Sequence, residues 1–209
     1  GRYRQFTQLG FEIVGGESDP LYDAQSVIVM YRFLEEVKVK SMTVQINSIG
    51  CRVCRPNYRR RLIEYYKKQK ICKDCANRLD KNPLRLLDCK NEACVPVKLG
   101  APSVLDSLCS ACKAHFKEAL EFLDEVGIPY SLNPYLVRGL DYYNRTVFEI
   151  FTEGNDLALA SGGRYDYLAE MLGGRATPAV GVAAGLERII EMVKDDTGYQ
   201  NHRARPKVF

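Results

Sequence analysis

The chain has 209 residues, is 46% hydrophobic and carries a formal net charge of +4. That length and apolar content suffice for one sizeable core with a smaller domain appended. No apolar run approaches the ~20 residues a membrane helix needs, and the polar, basic start lacks the features of a secretory signal, so a cytoplasmic protein is expected.

The pattern predicts a strand over residues 5–14, turned by Gly15 and Gly16. Ser18, Asp19 and Pro20 form a helix start, a capping side chain followed by proline at the first helical position. Leu21, Ala24, Val27, Ile28, Tyr31 and Leu34 follow at helical spacing, with an end near Val37. Residues 41–47 alternate, with Val44 and Ile46 on one face, and predict a second strand. A helix is expected over residues 111–126, with Phe116, Ala119, Leu120 and Leu123 in one stripe and Gly127-Ile128-Pro129 as its stop. Strand-like runs follow at residues 130–133, 145–151 and 157–161, with Gly154 and Asn155 in the turn between the last two. Residues 164–172 predict a short helix closed by Gly173 and Gly174, residues 179–184 a buried strand and residues 186–193 a final helix. Strands joined by hairpins, with few βαβ units, predict an α+β fold with an antiparallel sheet and helices against it.

All eight cysteines fall between Cys51 and Cys112, as Cys51-x2-Cys54, Cys72-x2-Cys75, Cys89-x4-Cys94 and Cys109-x2-Cys112. Thiolate pairs at this spacing can share a tetrahedral metal, and zinc is its usual occupant. A disulfide framework, inert buried thiols and a redox pair are the competing readings. Eight ligands fit two four-thiolate sites, although one site with spare thiols also fits, and spacing leaves the partition open. His115 is a conceivable substitute ligand, but such a histidine is more often exposed. With every position filled by thiolate, the metal is structural. Residues 49–115 are polar, charged and short of apolar periodicity, as expected of a module that uses a metal staple in place of a core.

The charge is uneven. From Cys51 to Cys75 there are nine Lys or Arg against Glu64 and Asp74, a local +7 that leaves −3 for the rest of the chain. Beside Tyr58, Tyr65 and Tyr66, such a patch suits a phosphate backbone, or is simply a solvated helix face.

The densest chemistry lies in Leu136-Val137-Arg138-Gly139-Leu140-Asp141-Tyr142-Tyr143. Three further segments also put arginine beside small or aromatic residues: Gly1-Arg2-Tyr3-Arg4-Gln5-Phe6-Thr7-Gln8, Ser161-Gly162-Gly163-Arg164-Tyr165-Asp166 and Gly185-Leu186-Glu187-Arg188. Arginine forks hold polyphosphates and glycine lets backbone approach a ligand.

Together, and in this order from Gly1 to about Arg188, these segments resemble the bacterial-type histidyl-tRNA synthetase family: the end of class II synthetase motif 2, the histidine-specific stretch, the GGRYD loop and motif 3. The resemblance implies a class II synthetase-like antiparallel sheet flanked by helices, with a small, mainly helical cysteine-rich insertion domain. It divides the chain into catalytic core at residues 1–48 and 116–200, insertion domain at 49–115, and at 201–209 the start of a linker to an anticodon-binding domain. It implies ATP-dependent activation of L-histidine, with Mg2+, followed by transfer to tRNA(His). Arg138 then touches the α-phosphate and the reacting carboxylate, and so serves catalysis, ATP and histidine together. Arg2 and Arg188 hold the outer phosphates, while Phe6 and the Arg188 guanidinium sandwich the adenine. Glu12 and Tyr143 select the imidazole, Gln8 holds the α-amino group, and Gly162 and Gly163 let the backbone close over the substrate. Tyr142 and Tyr165 read equally well as packing residues. Many family members lack the cysteines, so zinc rests on their spacing.

The pattern departs from the family in lacking motif 1 and the first half of motif 2, and Thr7 stands where many relatives carry His. The chain is therefore expected to be a poorly active fragment of a longer protein whose full-length form is a homodimer. Two other readings are a histidine-sensing regulatory paralogue of the histidine biosynthesis pathway, which should lose the ATP arginines, and a zinc-binding nucleic-acid-binding module, which leaves residues 136–188 unexplained.

Overall fold

A computed structural model describes residues 4–155 and 157–194. Arg2 and the expected linker at residues 201–209 lie outside these described residues.

Six strands form one sheet in the order β1-β6-β5-β4-β2-β3. They are β1 (Gln8–Val14), β2 (Met42–Ser48), β3 (Tyr130–Leu132), β4 (Asn144–Thr152), β5 (Ala160–Arg164) and β6 (Ala179–Gly185). Every neighbouring pair is antiparallel except β2 and β3, which run parallel. The parallel pair follows from the connection: β3 leaves a helix that has crossed back along the sheet, so it enters in the direction of β2.

Two long helices cover one face of this sheet. Helix α1 (Pro20–Glu36) starts as the sequence predicts, with the Asp19 carboxylate accepting from the Leu21 amide at 2.8 Å. Its Ala24, Val27, Met30, Tyr31 and Leu34 are buried at helical spacing, whereas Leu21 stays exposed. The second long helix, α5 (Ser110–Val126), buries Phe116, Ala119 and Leu123. It ends at Gly127 in the left-handed region (φ 71°), where glycine carries no Cβ penalty. These helices and the strand residues Val44, Ile46, Phe148, Ile150, Val182 and Ala184 form the main core.

Between β2 and α5 lies the inserted module. Its helices are α2 (Arg55–Tyr66), α3 (Lys73–Leu79) and α4 (Val95–Leu99), with short 3-10 turns between α3 and α4 and after α4. The module has its own apolar cluster, contrary to the sequence reading. Tyr58, Leu62 and Tyr66 of α2 pack with Leu86, Leu87, Val104 and Leu108 and with cysteine side chains. These residues are scattered over several short elements, so no helical or strand period marks them.

Two boundaries after β4 also differ from the pattern. The predicted strand at 157–161 is β5 at Ala160–Arg164, because its register is set by pairing with β4 and β6 rather than by its apolar start. Arg164 therefore belongs to a strand, and the helix expected from it is only α6 (Leu168–Met171). The last helix, α7 (Leu186–Lys194), follows β6 directly. Among the described residues no helix is long and apolar enough to cross a membrane.

Candidate active site and thiolate centres

Side chains alternate between the faces of a strand, and paired residues share a face. The register therefore puts Gln8, Gly10 and Glu12 of β1 on the face away from α1 and α5. Beside them lie Gly181 and Ala183 of β6, Ser161 and Gly163 of β5, and Val147 and Glu149 of β4. The row nearest the sheet centre is small: a Cβ on Gly181 would lie 1.6 Å from the Glu12 carboxylate. That face is a shallow floor with polar groups set around it.

Three levels of polar chemistry follow one another along the strands. At the first, Glu12 sits opposite Gly181 and accepts a short hydrogen bond from the Tyr165 hydroxyl. Tyr165 packs edge-on against Tyr142 and Tyr143, with centroids 5.8 and 6.2 Å away. Burial, and then the bond to Glu12, push the Tyr165 hydroxyl above its ordinary pKa, so it remains a donor. At the second level Arg138 donates to the Glu149 carboxylate, and at 2.9 Å to the Ser161 hydroxyl. Burial raises the Glu149 pKa while Arg138 opposes that shift. At the third level Arg188 lies beside Gly185 and donates to the Ala158 carbonyl. Successive levels are two residues, or about 7 Å, apart. A cavity of about 520 Å³ spans the second and third levels, lined by Arg138, Glu149, Ser161 and Arg188, with Asp88, Lys90 and Lys98 from the module.

The sequence-predicted residues fall on this floor with one exception among those described. Gly162 is on the opposite face, where an added Cβ would meet the Gly181 carbonyl at 2.3 Å and the Phe148 ring at 2.7 Å. The missing side chain there allows close strand packing. Tyr143 lies over Gly163 on the same face, but the hydroxyl that bonds Glu12 belongs to Tyr165. Gln8, exposed on β1, and Gly163, buried beneath the Tyr143 ring, both lie on the open face. Phe6 is 56% exposed, so it is not part of the core. Just after it, the Thr7 amide donates to the Glu187 carboxylate at 2.8 Å, tying this segment to the start of α7 beside Arg188.

Arg164 is the residue that the sequence reading overlooked. It is 1% exposed and donates to Asp23 of α1, to Asp166 at 3.0 Å and to the Asp19 carbonyl at 2.8 Å. His115 Nε2 lies 3.2 Å from the same Asp23 carboxylate and its Nδ1 is 3.1 Å from an Arg145 Nη. Burial pushes the Asp23 carboxyl up, but the bonds from His115 and Arg164 outweigh it and leave the group below its usual range. His115 is thus buried in a charge network and is neither exposed nor a metal ligand.

The cysteines sort into two groups, Cys51/Cys54/Cys109/Cys112 and Cys72/Cys75/Cys89/Cys94, each with its sulfurs within 4.8 Å of one another. The partition is nested: the outer pairs of the sequence meet at the neck of the module and the inner pairs meet farther out. The Sγ–Sγ distances are 3.7 Å for Cys51–Cys54 and 3.9 Å for Cys51–Cys109 and Cys72–Cys89. Zinc–sulfur bonds of about 2.3 Å at tetrahedral angles give edges of about 3.8 Å, whereas a disulfide needs about 2.05 Å. Amides of Val53, Cys72 and Cys109 point at the sulfurs of Cys51, Cys94 and Cys54, at 3.4, 3.3 and 3.1 Å. Burial raises the Cys75 and Cys112 thiols, while Cys72, with the Cys75 amide as its main donor, is drawn down to about 7. Four adjacent thiols cannot all ionise unaided; a divalent cation is what permits it. Both groups fit a tetrahedral metal.

The open face of the sheet thus carries a carboxylate–phenol pair, a central arginine and a distal arginine. The sequence profile of the family described as histidyl-tRNA synthetase matches residues 74–189. Histidine–tRNA ligase of Desulfitobacterium hafniense is 43% identical over 204 residues, 96% of this chain and 48% of its own length. That of Caldicellulosiruptor saccharolyticus is 44% identical over 213 residues, 100% of this chain and 51% of its own. Apo histidyl-tRNA synthetase of S. aureus superposes with a TM-score of 0.76 at 32% identity, covering 95% of this chain and 50% of that one. A Bacillus halodurans structure described as an ATP phosphoribosyltransferase regulatory subunit/histidyl-tRNA synthetase gives 0.61 at 21% identity, covering 90% and 53%, which shows the fold alone. The chain belongs to the histidyl-tRNA synthetase family, and it spans about half the length of the curated relatives it matches.

Proposed function

We propose that the whole protein is a histidine–tRNA ligase, which activates L-histidine with ATP and Mg2+ and transfers it to tRNA(His), acting as a cytoplasmic homodimer. The observation that carries this reading is the three-level spacing on the open face. Glu12 with Tyr165 receives the imidazole. Arg138 lies about two residues farther along, at the reach of the amino acid's carboxylate. Arg188 lies farther again, at the reach of the nucleotide phosphates, with exposed Phe6 available to stack on the base. Gln8 on the same face is placed for the α-amino group.

The chemistry needs no general base, because the attacking carboxylate is already an anion. The protein aligns it with the α-phosphorus and spreads the extra negative charge over Arg138, whose planar fork suits two oxygens at once. Glu149 and Ser161 hold that fork from behind. Selection for histidine comes from polar groups that any analogue without matching donors leaves unpaired.

Of the basic patch, Arg52, Arg55, Arg59 and Arg61 are engaged within the protein. Arg60, Lys67, Lys68, Lys70 and Lys73 face solvent and are the groups available to a tRNA backbone. The two thiolate groups hold structural Zn2+. Purified whole protein should charge tRNA(His) with histidine and with no other amino acid; charging that is indifferent to the amino acid overturns this reading.

A further inference from the structure

The two thiolate groups occupy different places in the chain. Cys51 and Cys54 lie at the entrance of the module, and Cys109 and Cys112 at its exit on α5. Their group closes the whole insertion at its neck. The Gly50 backbone is applied so closely to it that a Cβ there would meet the Cys54 Cβ at 2.8 Å. The entrance is also paired with the core, since Ile49 donates to the Arg145 carbonyl at 2.8 Å and Arg145 to the Gly50 carbonyl at 2.9 Å.

Arg55 follows Cys54 directly and turns away from the thiolates. One Nη donates to the Tyr143 carbonyl and the other lies 3.5 Å from the Asp141 carbonyl. Both acceptors belong to the turn that carries Tyr143 into the cluster with Tyr165, whose hydroxyl bonds Glu12. A continuous path thus runs from the neck thiolates through Cys54 and Arg55 to the carbonyls under the first level of the floor. The outer group has a weaker route to the same turn: Asn82, between its two cysteine pairs, donates to the Asp141 carboxylate at the exposed surface.

We propose that the neck group is a metal clasp that fixes Arg55 against the turn at residues 141–143, and through it the imidazole end of the site, while the outer metal serves the module alone. Arg55 is then a positioning residue. The activity arm of this proposal rests on the histidine-activation reading, whereas its structural arm does not.

The test uses the whole protein with three variants: Cys51→Ser/Cys109→Ser, Cys72→Ser/Cys89→Ser and Arg55→Ala. Zinc is counted by elemental analysis, amide hydrogen exchange is followed at residues 139–143, and the histidine KM is measured in pyrophosphate exchange. The neck variant should lose half of its metal, expose residues 139–143 and raise the histidine KM about tenfold, with kcat moved less. The outer variant should also lose half of its metal and leave the other two readouts unchanged. Arg55→Ala should keep all of the metal and reproduce the neck phenotype. If the neck variant does not fold, Arg55→Ala decides alone. Protection at residues 139–143 that survives Arg55→Ala overturns the proposal, as does an outer variant that behaves like the neck variant. If the unmodified protein shows no histidine-dependent exchange, the activity reading fails, and metal content with amide exchange still decides the clasp.

Discussion

Arg138 gives one Nη to the carboxylate of Glu149 and the other to the hydroxyl of Ser161, so its guanidinium bridges β4 and β5 on the open face. The two charged side chains are 18% and 22% exposed, enough burial for the pair to be held in one geometry and enough exposure for an anion to reach the outer edge of the fork. Replacing Arg138 with lysine keeps the charge and loses the fork. Arg138→Lys should slow adenylate formation by the equivalent of about 3 kcal/mol while histidine binding changes little, as read by pre-steady-state pyrophosphate release and by equilibrium binding.

Gly181 and Gly162 are neighbours across β5 and β6 with opposite expected outcomes. A methyl at Gly181 collides with the Glu12 carboxylate, the movable end of a side chain, so Gly181→Ala should leave the thermal midpoint nearly unchanged and abolish histidine selection. A methyl at Gly162 collides with backbone and a buried ring, so Gly162→Ala should destabilise the sheet by about 2 kcal/mol. Melting curves beside histidine titrations separate the two.

Tyr165→Phe removes the donor that bonds Glu12 and keeps the ring packing. A tenfold rise or so in histidine KM with unchanged ATP KM is expected, about 1.4 kcal/mol. Tyr143→Phe, lacking that bond, should do less.

The acid limb of stability should depend on Asp23. Its carboxyl titrates below 3.8 when folded, so its contribution is complete above that value and is lost as pH falls through the lower folded one. Asp23→Asn should cost about 3 kcal/mol at neutral pH, because Arg164 is left buried with less countercharge, and should flatten the fall in stability below pH 4. Denaturant titrations at several pH values measure both.

Chelation of the thiolate metals should loosen residues 49–115 and spare the sheet. The cysteine side chains are part of the module's own apolar cluster, so withdrawing the metal opens that cluster while the main core keeps its separate packing. Limited proteolysis after chelation should cut first near residues 67–73 or 90–92. Simultaneous cutting within β4 or β6 would show that the metal also supports the sheet.

The sequence made the long elements plain because their signals are local. Asp19 and Pro20 start α1, and the apolar spacing from Ala24 to Leu34 continues it. The cysteine spacing pointed to thiol groups able to share a metal for the same reason. What escaped the sequence depends on chain-distant partners. The module's core is assembled from Tyr58, Leu86 and Val104 on separate short elements, and no single period connects them. Arg164 read as a polar helix start because its partner Asp23 lies 141 residues away. Pairing of Cys51 with Cys109 required the fold, since adjacent motifs offer an equally good four-thiolate set on spacing alone. The reach of Tyr165 to Glu12 was hidden behind its neighbour Tyr143, which the family pattern favoured.

The most direct measurement is ATP–pyrophosphate exchange by the whole protein with each of the twenty amino acids. Exchange should appear with L-histidine and be lost in Glu12→Ala. Exchange without histidine, an unchanged rate in that variant, or no exchange with any amino acid would contradict the assignment of the open face as a histidine-activating site.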